Sequence, residues 1–267
     1  MALPTLYLAH GGGPWPWLDG QMRDFHAALA RSLAELPAQL PERPRAVLVV
    51  TAHWEAPVFT LSEGAAPGML YDYSGFPGHT YRVHYAAPGS PALAARAVSL
   101  LEAAGIRAAL DDQRGFDHGT FVPMFAMYPE ADVPVLQCSL RAGLDPAEHI
   151  AAGRALAPLR AEGVLIVGSG SSYHNLQVWG PAAFAPSQAF DGWLQQVLVS
   201  SDPTLRDNAL LRWEEAPAAR QAHPREEHLL PLMVAAGAAS GEPGRCIFRE
   251  ERFFGISTVS SFRFGAV

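Results

Sequence analysis

Short, unbroken runs of apolar and β-branched residues, each closed by turn residues, alternate along the chain with longer segments that carry apolar positions at helical spacing. That alternation constrains the fold more than any other feature. A strand covered on both faces needs a continuous apolar run, whereas a half-exposed strand alternates apolar with polar. Residues 5–9, 46–52, 133–139, 164–167 and 257–262 read as strands, the first four as central ones. Residues 21–36, 90–104, 146–161, 188–200 and 228–239 read as helices. Ser90 before Pro91 is a good helix start, and Gly105 and Gly163 stand where helices stop. The pattern predicts an α/β protein, a single three-layer domain over residues 1–267 with a central, mostly buried sheet flanked by helices. Two irregular stretches, 56–88 and 202–227, read as insertions over that scaffold, the second as a lid or an exposed connection.

Composition matters mainly for what it excludes. Lys and Arg total 19 against 26 Asp and Glu, a formal charge of -7, so there is no general attraction to nucleic acid or anionic lipid. No apolar run approaches the roughly 20 residues that span a bilayer, and the opening MALPTLYLAH lacks the basic start of a secretory signal. No membrane segment and a cytoplasmic address are expected. Cys138 and Cys246 are the only cysteines, too few for a disulfide framework or a thiolate metal cage.

Ten histidines remain to be explained. His10 ends the first apolar run and is followed by Gly11-Gly12-Gly13, at the strand end where open α/β sheets place ligands. His53 repeats the arrangement, and His174 follows a third run through the Gly/Ser turn 168–172. His118 lies in a loop between Gly115 and Gly119, and His228 is expected on the first turn of an apolar helix. Three neutral imidazoles, or two with a carboxylate, suit a borderline divalent ion such as Fe(II) or Zn and leave positions open for water or substrate. His26 and His149 fall within helical patterns and read as solvated or helix-face residues. The HGGG string also fits an oxyanion-hole loop, but no G-x-S-x-G elbow accompanies it, and the Gly-rich stretch has neither G-x-G-x-x-G nor a Walker lysine.

The segments LYLAHGGGP, VVTAHWE, YDYSGFPGHTY with its following APGSP, GFDHGTFVP, MYPEADVPVLQCSL, VGSGSSYHNL and EEHLLPL, taken in order, resemble the class III extradiol ring-cleavage dioxygenases, most closely their DOPA dioxygenase-like branch. The resemblance implies a non-haem Fe(II) enzyme that inserts O₂ into a small catechol beside its hydroxyls to give a ring-opened semialdehyde. It implies His10, His53 and His228 as metal ligands, with zinc as the alternative occupant. His174 matches the acid/base histidine, and His118 the one that contacts substrate or oxygen. Where relatives read HGSP this chain has His10-Gly11-Gly12-Gly13-Pro14, a longer loop presenting Trp15 and Trp17. The protocatechuate-type branch uses a Glu as third ligand; here adjacent side chains on a helix diverge by about 100°, so the metal takes His228 or Glu227 but not easily both, and the EEHLLPL match favours His228.

A neutral histidine with a solution pKa near ~6.5 suits removal of a catechol proton. Aromatic residues beside the histidine motifs, Trp15 and Tyr73 among them, offer walls for a planar ring, and Arg82, helped by His79, offers a contact for a substrate carboxylate. Two rival readings remain at this point: a zinc-dependent hydrolase, and a noncatalytic protein that binds a metal or an aromatic ligand on the same fold.

Overall fold

In the computed structural model, which describes residues 2–178, 180–199 and 202–265, the continuous apolar runs join one sheet. Its strands are β1 (Thr5–Ala9), β2 (Ala46–Ala56), β3 (Phe59–Ser62), β4 (Ala108–Asp111), β5 (Val135–Arg141), β6 (Val164–Gly170), β7 (Gly244–Phe253) and β8 (Ser257–Phe264). They lie in the order β4-β3-β5-β2-β6-β1-β8-β7, so the four strands expected to be central occupy the middle. β5, β2, β6 and β1 run parallel to one another, while β8 is antiparallel to β1 and to β7.

The helices are α1 (Gln21–Glu35), α2 (Pro91–Ala103), α3 (His118–Met127), α4 (Pro146–Leu156), α5 (Pro158–Ala161), α6 (Phe184–Leu198), α7 (Pro203–Leu211), α8 (Ala219–Ala222) and α9 (Leu230–Ala238). Strand pleating sorts them into layers, because successive side chains point to opposite faces. Thr5 and Tyr7 of β1 reach toward α9, where the Thr5 hydroxyl donates to the Ala235 carbonyl at 2.7 Å. Ser169 of β6 points the other way and donates to the Gly119 carbonyl of α3. The sheet thus has helices on both faces.

Several boundaries differ from the sequence reading. The helix expected over 146–161 breaks after Leu156 because Pro158 has no N–H to continue the ladder. The helix expected at 228 starts at Leu230, and the one expected over 188–200 starts at Phe184, with Ser200 outside the described residues. Ser90 holds the N-cap position of α2 without a side-chain bond to the helix. Stretch 202–227 is neither lid nor exposed connection: it contains α7 and α8, and Trp213 and Arg206 are buried. Arg206 donates to the carbonyls of Glu242, Ala236 and Ala239, at and beyond the end of α9. Among the described residues no helix is long and apolar enough to cross a membrane.

His26 and His149 are buried rather than solvated. Each donates from Nδ1 to the carbonyl four residues earlier, Met22 and Asp145, at 2.7 Å. Each accepts a backbone N–H on Nε2, from Gly12 at 3.1 Å and from Arg141 at 3.3 Å. Both ring nitrogens are satisfied only in the neutral form, and burial holds both pKa values down at about 4.

Candidate active site

Five histidines meet at the carboxyl ends of the central parallel strands. His10 follows β1, its N–H bonded to the Gly170 carbonyl at 3.1 Å. His53 lies within β2 rather than after it, where the register against β5 shifts between Val50 and Glu55, an irregularity of the kind that re-aims a side chain. His118 is the first residue of α3 rather than part of a loop, because Asp117 caps that helix by accepting the Thr120 N–H at 3.0 Å. The next residue has to be glycine: a Cβ on Gly119 would lie 2.7 Å from the Thr51 hydroxyl and 2.8 Å from the His53 ring. His228 occupies a turn before α9 rather than its first helical turn. Its carbonyl accepts from the Tyr7 hydroxyl at 2.8 Å and the Ser171 N–H at 3.1 Å. Stretch 168–172, expected to be a flexible turn, is instead mostly buried and begins inside β6. A Cβ on Gly170 would lie 2.1 Å from that His228 carbonyl, so the glycine makes room for the turn. His174 lies in the segment after β6, its N–H bonded to the Ala222 carbonyl at 3.0 Å.

The rings of His10, His53 and His228 form a near-equilateral triangle, with centroids 4.9, 4.9 and 5.2 Å apart. One ring nitrogen from each lies within 4.8 Å of the other two. His118 stands 4.0 Å from His53, and His174 stacks on His228 at 3.3 Å and 17°.

The hydrogen bonds behind the rings assign their tautomers. Asp72 takes His53 Nδ1 at 3.2 Å on one oxygen and His118 Nδ1 at 2.8 Å on the other. Glu227 Oε1 takes His228 Nδ1 at 2.9 Å and His174 Nδ1 at 3.1 Å. His10 Nδ1 lies 3.1 Å from the Ser169 hydroxyl, whose own proton goes to the Gly119 carbonyl, so the hydroxyl accepts. Every Nδ1 therefore carries a proton, so the lone pair of each ring in its neutral form is on Nε2.

Electrostatics agree with that assignment. Burial, reinforced by the neighbouring imidazoles, holds His10 and His228 well below the usual histidine value. Burial and His118 bring His53 down to about 3. Burial alone would raise Asp72, but hydrogen bonding from His118 outweighs it and leaves it lowered; hydrogen bonding from His174 does the same for Glu227.

His10 Nε2 and His53 Nε2 face each other at 3.2 Å. Two lone pairs at that distance repel unless a cation lies between them. Three neutral imidazoles held by partners on their far nitrogens are the donor set of a divalent transition metal with positions left open, so these residues fit such an ion.

Comparison with known proteins shows the family to which the chain belongs. Residues 3–262 match the family model described as the catalytic LigB subunit of aromatic ring-opening dioxygenase. The chain belongs to the LigB family. This LigB protein is 40% identical over 259 residues to dioxygenase tasH of Hapsidospora irregularis, covering 90% of this chain and 79% of that one. It is 40% identical to the 4,5-DOPA dioxygenase extradiol of Beta vulgaris (84% of each chain), and 37% identical to that of Escherichia coli K12 (90% and 86%). A solved structure, an uncharacterized protein from Escherichia coli K12, superposes with a TM-score of 0.78 at 32% identity over 98% of this chain and 100% of that one. The chain is accordingly an extradiol ring-opening dioxygenase, and its histidine cluster is one that could hold a metal ion.

The five histidines and Asp72 open into a cavity of about 350 Å³, within the size range of small-molecule sites. Trp15, Tyr73 and Arg82, the residues expected at its walls, are not among its lining residues. The Trp15 indole donates to the His10 carbonyl at 2.8 Å and stacks on His26 at 5.0 Å and 4°. Tyr73 lies edge-on to His118 at 5.9 Å, its hydroxyl bonded to the Thr80 carbonyl at 2.7 Å. Arg82 is exposed at the end of a short helical turn, Gly78–Arg82. Sequence reasoning did not single out Asp72, although it is the only acid between Glu63 and Glu102 and sits between two tyrosines in the long aromatic stretch.

Proposed function

We propose that the LigB protein is a non-haem Fe(II) enzyme of the cytoplasm that inserts both atoms of O₂ into a small catechol, cleaving the ring beside the hydroxyls to give a semialdehyde. The free thiols of Cys138 and Cys246 suit a reducing compartment. The observation that carries the reading is the pairing of every ring Nδ1 with a carboxylate or hydroxyl, which leaves Nε2 unclaimed by those partners on five rings that line one cavity. His10, His53 and His228 would hold the metal, being the group made of histidines alone whose ligand atoms lie within 4.8 Å of one another among the described residues. Bound there, ferrous iron would supply Lewis acidity toward the catechol oxygens and a path by which the ring's own electrons reach O₂.

The remaining chemistry belongs to the two outer histidines. With its Nδ1 proton on Glu227, His174 presents Nε2 as the acceptor for a catechol hydroxyl proton, and Glu227 stabilises the imidazolium that results. His118, held likewise by Asp72, presents Nε2 toward the substrate; once protonated it donates to negative charge developing on the ring oxygens. The cavity walls hold the ring in reach of both, so orientation contributes alongside proton transfer.

The experiment is anaerobic loading of the enzyme with Fe(II) or Zn(II), followed by oxygen-electrode traces with catechols and mass analysis of products made under ¹⁸O₂. One O₂ consumed per catechol by the iron form, with both labelled atoms in the product, is expected. Metal-dependent ester hydrolysis by the zinc form without oxygen uptake by the iron form would establish the hydrolase instead. Tight catechol binding with neither reaction would establish a binding protein.

A further inference from the structure

The part of the cavity wall not built from histidines reports which ring substituent can be accommodated. Phe253 and Phe254 reach it from the tip of the β7–β8 hairpin. Phe254 has a φ of 54°, in the left-handed region that residues with a Cβ seldom adopt, and Gly255 follows at 73°. That unusual backbone carries the Phe254 ring over the loop after His10: a Cβ on Gly12 would lie 3.3 Å from its edge. The ring meets Phe253 at 4.7 Å and His26 at 4.8 Å, both edge-on. Leu176 and Val259 add apolar surface.

The polar groups on this wall are already engaged. Asn175 donates to the Gln221 carbonyl at 2.8 Å and accepts the N–H groups of Gln177 and Val178. The Ser171 hydroxyl donates to the Tyr173 carbonyl at 2.8 Å. No lysine or arginine lines the cavity among the described residues, and its one lining carboxylate, Asp72, already holds two imidazoles. A substrate carboxylate brought here would lose its water without gaining a cation or a free side-chain amide. An alkyl or aryl group would instead exchange water for phenylalanine and aliphatic surface.

We propose, resting on the ring-cleavage reading above, that this enzyme selects catechols whose ring substituent is apolar and uncharged, and discriminates against carboxylated side chains, the amino-acid side chain of DOPA included. Phe253, Phe254 and Leu176 are the specificity-determining residues. Leu176, 69% exposed, is the rim position where a charge is tolerated without disturbing the core.

Anaerobic titration calorimetry on the full-length enzyme, with 4-propylcatechol and with 3-(3,4-dihydroxyphenyl)propanoate, tests this directly. The propyl compound is expected to bind at least about tenfold more tightly, and Leu176→Arg to narrow that ratio about threefold or more by supplying the missing cation. A ratio near one in the unmodified enzyme, or no narrowing in Leu176→Arg, overturns the proposal. Oxygen uptake by the iron form is recorded separately with the same two compounds. Absence of uptake with both defeats the ring-cleavage reading, while the binding ratio still decides the substituent preference.

Discussion

The two sides of the histidine cluster use one device built in two ways. On one side Asp72 bridges His53 and His118; on the other Glu227 bridges His228 and His174. Glu227 is the immediate chain neighbour of the ring it supports and is tied through Arg225 to Glu55. Asp72 is 46 residues from His118; backbone bonds between Phe116 and Gly68 and Leu70 bring its segment there, and the aromatic stretch around it folds onto itself. There Tyr71 donates to the Val83 carbonyl and Tyr73 to that of Thr80, both at 2.7 Å. The rings differ too, stacked at 17° on the Glu227 side and tilted by 50° on the Asp72 side. One bridge is local and reinforced by ion pairs, the other long-range and reinforced by aromatic packing, yet both leave Nε2 free. What has to be preserved is the tautomer rather than the scaffold that imposes it.

Removing a ring tests the cluster most severely. His53→Ala and His228→Ala should each abolish most metal retention, measured by elemental analysis after Fe(II) loading, with circular dichroism unchanged. Full metal content in either variant would remove that residue from the donor set.

Altering the bridges comes next. Asp72→Asn and Glu227→Gln should each lower metal affinity or turnover by roughly 10- to 100-fold, the usual scale for partners of metal-bound imidazoles. Asp72→Asn should be the more damaging, because Asp72 also accepts the His118 backbone N–H at 3.0 Å. Competition with a chelator gives the affinities, and equal losses would erase the distinction between the bridges.

Acid separates the frame from the bridges. His26, with its pKa pressed to about 4 by burial, is neutral when folded and near ~6.5 when unfolded. The unfolded chain therefore takes up the proton first, and stability falls as pH drops from about 6.5 to about 4, by up to about 1.4 kcal/mol per pH unit per such group. His26→Gln should flatten urea-derived stability over that window. An unchanged slope would mean that His26 contributes nothing to acid sensitivity.

The smallest effect is expected at Arg225, whose side chain is 54% exposed between Glu55 and Glu227. Arg225→Ala should cost less than about 1 kcal/mol, as exposed ion pairs do. It should also change chelator-measured metal affinity less than Glu227→Gln does. A loss as large as that of Glu227→Gln would show that the local bridge depends on its tether.

Legibility in the sequence follows the same division. Strands β1, β2, β5 and β6 are readable because burial on both faces demands continuous apolar runs. β3 and β4, at four residues each, are too short to announce themselves, and β7 carries charge because it is an edge. Helix α3 shows no amphipathic period because nearly all of it is buried, which is why His118 reads as a loop residue. His10, His53, His174 and His228 are readable from their places after apolar runs or before an apolar helix. Asp72 is not, since nothing local links an acid in an aromatic loop to a ring 46 residues away. The buried state of His26 and His149 is hidden for a related reason: helical spacing gives a face, not what packs against it.

The order of strands in the sheet also has a bearing on how the enzyme is made. β1, which precedes His10, has β6 and β8 as its neighbours, the latter drawn from the far end of the chain. During synthesis His10 and His53 therefore leave the ribosome long before the strands that position His10, and before His228 exists. A pair of unanchored imidazoles holds a divalent ion far less firmly than three tautomer-locked ones. Iron held as proposed would thus enter a finished molecule, with a truncated nascent chain a poor competitor for it.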